Sequence, residues 1–217
     1  MRDGFKFESE FYDSYEDYVE VQTVGALRKK GITKRSGVGG VNWCLNYLKQ
    51  NLPDVSFNSV FCIGARDDSE LLEFEKHGYT VAGIDLYETD RITKCDMSLI
   101  HEHPLFKEAK YDFVYSRESM EHCVDLDGFI MGLNQICSKY FWVTCPNLLH
   151  PLLAPSKWDC GTHSFMGCFE GDGYREALEN TFTEFNVLLA NQTKFLAPHP
   201  DCGCRCWFLL ERKSLNR

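Results

Sequence analysis

The sequence predicts an α/β fold built on a doubly wound, mostly parallel seven-stranded sheet, with helices at the N-terminal end and an antiparallel strand at the C-terminal end. Three observations carry that prediction. Residues 59–86, SVFCIGARDDSELLEFEKHGYTVAGIDL, read as strand, glycine turn, helix and second strand. Strand-like and helix-like segments then alternate at crossover-length spacings as far as Pro146. Two final β-like runs, 183–190 and 204–211, are joined through the turn-rich LAPHPDCG and form an antiparallel pair at the sheet edge.

Residues 9–24 place Phe11, Tyr15 and Tyr18 at i, i+4 and i+7, while Glu10, Asp13, Asp17 and Glu20 fall mostly elsewhere on the wheel. That is an amphipathic helix, either packed on the core or serving as an aromatic lid over a ligand. The next stretch, RKKGITKRSGVGGVN, holds the only basic cluster of the chain together with Gly37, Gly39 and Gly40. It reads as a solvated loop, with closure of a cationic segment on an anionic substrate as the alternative. Val41, Leu45 and Leu48 then mark a second helix that ends near Asn51 and Pro53.

In the central unit, Ser59–Ile63 is short, apolar and rich in β-branched and aromatic residues, and Gly64 stops it where the backbone must turn. Asp67, Asp68 and Glu70 put negative charge at a helix N-terminus, and Gly78 fits the position just past its end. The second strand, Thr80–Ile84, delivers Asp85 at its carboxyl end. Open parallel sheets bind ligands beyond those ends. Gly64 would let a ligand approach, and Asp85 can accept hydrogen bonds from ribose hydroxyls, which suggests a nucleoside. A dinucleotide fingerprint needs glycines at 64, 66 and 69, but the chain has Gly64, Arg66 and Ser69. The bland alternative is a tight turn at Gly64 and a solvated strand end at Asp85.

A brief third strand reaches Cys95 and Asp96, a fourth spans Tyr111–Ser116, a helix covers 125–138, and a fifth strand, Tyr140–Thr144, stops at Pro146 and Asn147. Residues 148–173 form a long proline-interrupted segment that would line the crevice, followed by a helix over 174–181.

Composition narrows the function classes. At 217 residues the chain is long enough for one sizeable core, read as a single domain with a helical cap (1–52), a core (57–147), a substrate-side loop (148–173) and a closing segment (174–217). A net charge of −9 opposes unguided binding to polyanions or anionic membranes, so a nucleic-acid substrate would depend on the basic 28–35 segment. No apolar run reaches transmembrane length, and the acidic, aromatic N-terminus is unlike a leader, so a cytoplasmic protein is expected. Eleven cysteines, several in apolar patterns, read as reduced thiols filling the core. Cys202, Cys204 and Cys206, with His199, Cys160 and Cys168, could assemble a metal site, but the spacing is not a paired C-x-x-C pattern and no metal is expected. His101 and His103, around Glu102, read as a solvated helix end.

With these pieces in order, the chain resembles the class I S-adenosylmethionine-dependent methyltransferases, a Rossmann-like family, and especially the group acting on small molecules and lipids. The resemblance covers residues 57–147. VFCIGARDD looks like the family's first motif, which implies that Gly64, Ala65 and Arg66 run beneath the methionine part of S-adenosyl-L-methionine. By the same resemblance Asp85, followed by Leu86, would hold the ribose, and Asp96 with Met97 would meet the adenine amino group and ring face. YDFVYSRESMEHC is similar to the fourth motif, so Ser116, Arg117 and Glu118 would border the cofactor, while Glu121 and His122 match its Glu-His pair. His122 heads the candidates for a base, with Glu121 beside it and His150, Asp159 and His163 on the substrate side. The implied partner is a small-molecule acceptor. A noncatalytic relative that keeps the fold is the alternative, and a nicotinamide oxidoreductase is disfavoured by Arg66 and Ser69.

Overall fold

The structure, a computed structural model, describes residues 13–28, 30–65, 67–146, 173–192 and 205–214. Its strands are β1 Ser59–Ile63, β2 Thr80–Asp85, β3 Ile92–Lys94, β4 Tyr111–Arg117, β5 Cys137–Pro146, β6 Phe185–Gln192 and β7 Arg205–Arg212. They form one seven-stranded sheet in the order β3-β2-β1-β4-β5-β7-β6. β3 through β5 pair in parallel, and β7 runs antiparallel to both β5 and β6. The order reverses between β1 and β4, so a crevice opens beyond their carboxyl ends.

Both faces of the sheet are covered, which is why its strands are nearly continuously apolar. Phe61 and Ile63 of β1, Val114 of β4 and Phe141, Val143 and Cys145 of β5 pack on one side. They meet helices α4 (Leu126–Ile136) and α5 (Gly173–Thr181) through Phe129, Leu133 and Leu178, and Phe182 just beyond α5. Val60, Cys62, Phe113, Tyr115 and Trp142 alternate onto the other side. There they meet α2 (Lys30–Asn51) and α3 (Ser69–Lys76) through Val41, Cys44, Leu71 and Phe74. Cys44, Cys62, Cys95, Cys123, Cys137, Cys145 and Cys206 are buried in the core, where a cysteine packs as a small apolar side chain.

Local chemistry sets the element ends. The Asp125 side chain accepts from the Gly128 N–H at 3.1 Å and caps α4. Gly78, at φ 89°, ends α3 in the left-handed region, where its N–H donates to Glu75 O.

Some expectations change. The basic, glycine-bearing segment after residue 29 is the first half of α2 rather than a loop. Gly37 and Gly40, three residues apart, make a bare helix face: a Cβ at Gly37 would lie 2.3 Å from Ser69 Oγ, and one at Gly40 2.4 Å from Arg117 Cδ. Tertiary approach, not loop formation, accounts for those glycines. Helix α1, Tyr15–Arg28, starts later and runs further than residues 9–24; residues 9–12 lie outside the described residues. Helix α4 stops at Ile136 because Cys137 already pairs with Tyr111 in the sheet, so the apolar spacing that suggested helix to 138 belongs to the start of β5. His101 and His103 are half-buried rather than solvated, with the His103 ring 4.8 Å from that of Phe106. Among the described residues, no helix is long and apolar enough to cross a membrane.

Candidate active site

A cleft of about 540 Å³, including space open to solvent, lies at the carboxyl ends of β1 to β4. Each strand contributes to it through the residues at its exit. At the exit of β1, Gly64 has φ 67°, and its N–H and that of Ala65 both donate to Ile84 O, at 3.0 and 3.1 Å. A Cβ at Gly64 would stand 2.1 Å from Ser119 Oγ, so the turn must be bare for the β4 exit to pack on it.

Two carboxylates stand at the exits of β2 and β3. Asp85 Oδ1 accepts from its neighbour Leu86 N–H at 2.6 Å, and the Asp85 carbonyl accepts from Cys95 N–H at 2.8 Å. Asp96 caps the 3-10 helix Met97–Glu102, with Oδ1 accepting from Ser98 N–H at 2.7 Å. Its second oxygen, Oδ2, accepts from the Tyr15 hydroxyl of α1. Between the carboxylates the lining is apolar, from Ile84, Leu86 and Met97. Cys95 also lines the cleft, and burial together with the Asp96 charge pushes its thiol up to about 12, so it stays neutral.

The β4 exit closes the other side. Glu118 is the one described non-glycine residue at positive φ, 51°, and its N–H donates to Thr144 O at 2.8 Å. A non-glycine residue in that region stores local strain of the kind that gathers at functional sites. Ser119 Oγ donates to Arg117 O at 3.0 Å, and His122 N–H to Ser119 O at 2.9 Å in the 3-10 turn Met120–His122. The His122 carbonyl accepts the Tyr18 hydroxyl at 2.7 Å, and both residues line the cleft.

Gly64, Asp85, Leu86, Asp96, Met97, Glu118 and His122 are therefore brought together in one cleft. Ser116, Arg117 and Ala65 are not among its lining. Ala65 is buried at 2% exposure against the α2 side, and Ser116 is wholly buried with no hydrogen-bond partner for its hydroxyl among the described residues. Arg117 turns to the opposite face of the sheet, where its Nε donates to Glu70 Oε1 at 2.7 Å. Strand alternation sends 116 and 117 to opposite faces, and neither turns into the crevice. Glu121 belongs to the turn that carries His122. Arg66, His150, Asp159 and His163 lie outside the described residues, as do His199, Cys160, Cys168, Cys202 and Cys204. Sequence reading did not single out Ser119, a cleft role for Cys95 or the reach of Tyr15 to Asp96. The spacing of Tyr15 and Tyr18 carried a signal for the last of these; no local pattern marks Ser119.

No protein-family model and no curated protein sequence matches the chain. Solved structures do match. Burkholderia thailandensis 1,6-didemethyltoxoflavin-N1-methyltransferase, with bound 1,6-didemethyltoxoflavin and S-adenosylhomocysteine, has a TM-score of 0.57 at 13% identity, covering 95% of this chain and 93% of that one. The plantazolicin methyltransferase BpumL in complex with S-adenosylhomocysteine has a TM-score of 0.55 at 9% identity, covering 94% and 92%. An S-adenosylmethionine-dependent methyltransferase from Clostridium acetobutylicum ATCC 824 has a TM-score of 0.52 at 10% identity, covering 79% and 90%. The strand order, the antiparallel β7 and these likenesses agree: the chain has the fold of the class I S-adenosylmethionine-dependent methyltransferases.

Proposed function

We propose that the chain is an S-adenosylmethionine-dependent methyltransferase acting on a small or modestly sized acceptor. The observation that carries this reading is the pair of carboxylates at adjacent strand exits, Asp85 and Asp96, set around Leu86 and Met97 in the cleft beside the bare Gly64 turn. That set of groups fits the cofactor. Carboxylates accept from ribose hydroxyls and an exocyclic amine, apolar side chains flank a purine ring, and a glycine turn admits close approach of the methionine part.

S-adenosylmethionine would supply an already activated methyl group, which leaves alignment, water exclusion and proton uptake to the chain. In this reading Asp85 fixes the ribose, Asp96 and Met97 hold the base, and Gly64 with Glu118 borders the methionine end. His122, in the same cleft, is the proposed acceptor of a proton from the nucleophile, within the turn it shares with Glu121. His150, Asp159 and His163 are the proposed acceptor-side groups. The Burkholderia protein of the same fold, bound to 1,6-didemethyltoxoflavin, supports a small-molecule acceptor, and the net charge of −9 weighs against a nucleic-acid one.

Calorimetric titration with S-adenosylhomocysteine tests the assignment. The parent should bind one equivalent, and Asp85→Ala should weaken binding by tenfold or more, the expected loss for a charge-assisted hydrogen bond. Equal affinity in the variant would remove Asp85 from the site, and no binding by the parent would overturn the reading.

A further inference from the structure

Helix α1 is tied across the cleft at two points by tyrosines three residues apart. The Tyr18 hydroxyl donates to the His122 carbonyl at 2.7 Å, and the Tyr15 hydroxyl donates to Asp96 Oδ2. Their rings lie 6.2 Å apart, and Tyr18, 2% exposed, is itself part of the cleft lining. The two ties differ in kind. Tyr18 grips a backbone carbonyl that is a fixed part of the β4 exit. Tyr15 grips a side-chain oxygen of one of the two carboxylates around which the cleft is built.

Each oxygen of the Asp96 carboxylate already holds one donor. Oδ1 accepts from the Ser98 N–H at 2.7 Å as the cap of the 3-10 helix, and Oδ2 takes Tyr15. Any ligand group that donates to Asp96 must displace one of these donors or share its oxygen. The cap is the harder to displace, because Ser98 N–H is an orphan helix donor on a residue 1% exposed. Tyr15 is the replaceable one: its donor is a side-chain hydroxyl at the first position of α1, able to turn away without breaking a backbone hydrogen bond. Burial and the Asp96 charge raise the Tyr15 phenol well above its ordinary value, so it remains a donor throughout the working pH range.

Resting on the methyltransferase reading above, we infer that Tyr15 is a gate on the cofactor site, its hydroxyl holding the Asp96 oxygen that the amino group of the incoming nucleoside must take. Seating the ligand exchanges one hydrogen bond to Asp96 for another, so the latch subtracts from affinity what it contributes to the empty state. Tyr18 remains bonded to His122 O during the exchange, and α1 moves about that point. The consequence is a cleft that is capped by the protein's own donor when empty, which keeps a half-buried carboxylate satisfied, at the expense of weaker and slower binding.

The test is S-adenosylhomocysteine binding to the full chain by calorimetry and stopped-flow, comparing parent, Tyr15→Phe and Tyr18→Phe, with circular dichroism to verify folding of each. Tyr15→Phe removes only the latch oxygen. It should tighten binding about tenfold, the size of one hydrogen bond to a charged acceptor, with most of the gain in the association rate. Tyr18→Phe, which frees no cleft carboxylate, should not tighten binding. A parent that binds while Tyr15→Phe binds equally or more weakly overturns the gate and leaves the methyltransferase reading standing. A folded parent that fails to bind overturns the methyltransferase reading and the gate with it.

Discussion

Arg117 Nε donates to Glu70 Oε1 at 2.7 Å across 47 residues of sequence, joining the end of β4 to the first turn of α3 behind the cleft. The side chains are 15% and 5% exposed. Burial pushes the Glu70 carboxyl up to about 7, with Arg117 pulling the other way and Asp67 and Asp85 adding to the rise. Arg117 stays above its ordinary value, because the Glu70 charge and hydrogen bond outweigh its own burial.

That pair predicts an alkaline cost to stability. A carboxyl whose folded pKa lies above its unfolded value binds protons more tightly in the folded state. The cost is absent below the ordinary value of 4.5 and complete above about 7. Denaturant unfolding should therefore show stability falling by roughly 1–3 kcal/mol from pH 5 to pH 8 through this group. Glu70→Gln should flatten that slope; an unchanged slope in the variant would assign it elsewhere.

The glycines of α2 make opposite predictions. No described residue lies within 4 Å of the point a Cβ would take at Gly39, so Gly39→Ala should gain roughly 0.5–1 kcal/mol from helix propensity alone. At Gly40 the new methyl would stand 2.8 Å from Arg117 Nε and 3.0 Å from the Tyr115 hydroxyl. Gly40→Ala should lose roughly 1–3 kcal/mol by overpacking. Thermal unfolding of the two variants separates a packed helix face from a solvated loop, in which both changes would be near neutral.

Gly64→Ala combines a φ of 67° with a Cβ 2.1 Å from Ser119 Oγ. The variant should lose about 1–3 kcal/mol of stability. It should also lose S-adenosylhomocysteine binding, since the β4 exit would have to retreat from the cleft. Retained affinity would separate the turn from the ligand site.

His122→Ala is predicted to leave cofactor affinity within about threefold and to reduce methyl transfer at least a hundredfold once an acceptor is in hand, the contribution of a positioned base. Its carbonyl, which holds Tyr18, is backbone and survives the change. Equal turnover would withdraw His122 from proton transfer.

The parts of this fold that were legible in the sequence are those set by local punctuation. Gly64, the acids after it and Gly78 bound a strand, a helix and a second strand within a residue or two of β1, α3 and β2. The first half of α2 was not legible, because glycines and charges in sequence signal a loop, whereas Gly37 and Gly40 are required by the approach of Ser69 and Arg117 from distant segments. Of the three residues expected at the cofactor after β4, Glu118 alone lines the cleft. Ser116 and Arg117 are still within the pleat and point to opposite faces, and the left-handed backbone at Glu118 is where the chain turns into the crevice. Tyr15 and Tyr18 were visible as a spaced pair, but their acceptors, 81 and 104 residues away, are set by tertiary structure.

The most direct test of the central claim is a thermal-shift titration with S-adenosylmethionine and S-adenosylhomocysteine, with NAD as the control. A ligand that binds only the folded state raises its stability with the logarithm of concentration above Kd. Tm should rise with the concentration of both adenosyl ligands and stay fixed with NAD. No shift with either adenosyl ligand, or an equal shift with NAD, would contradict that claim.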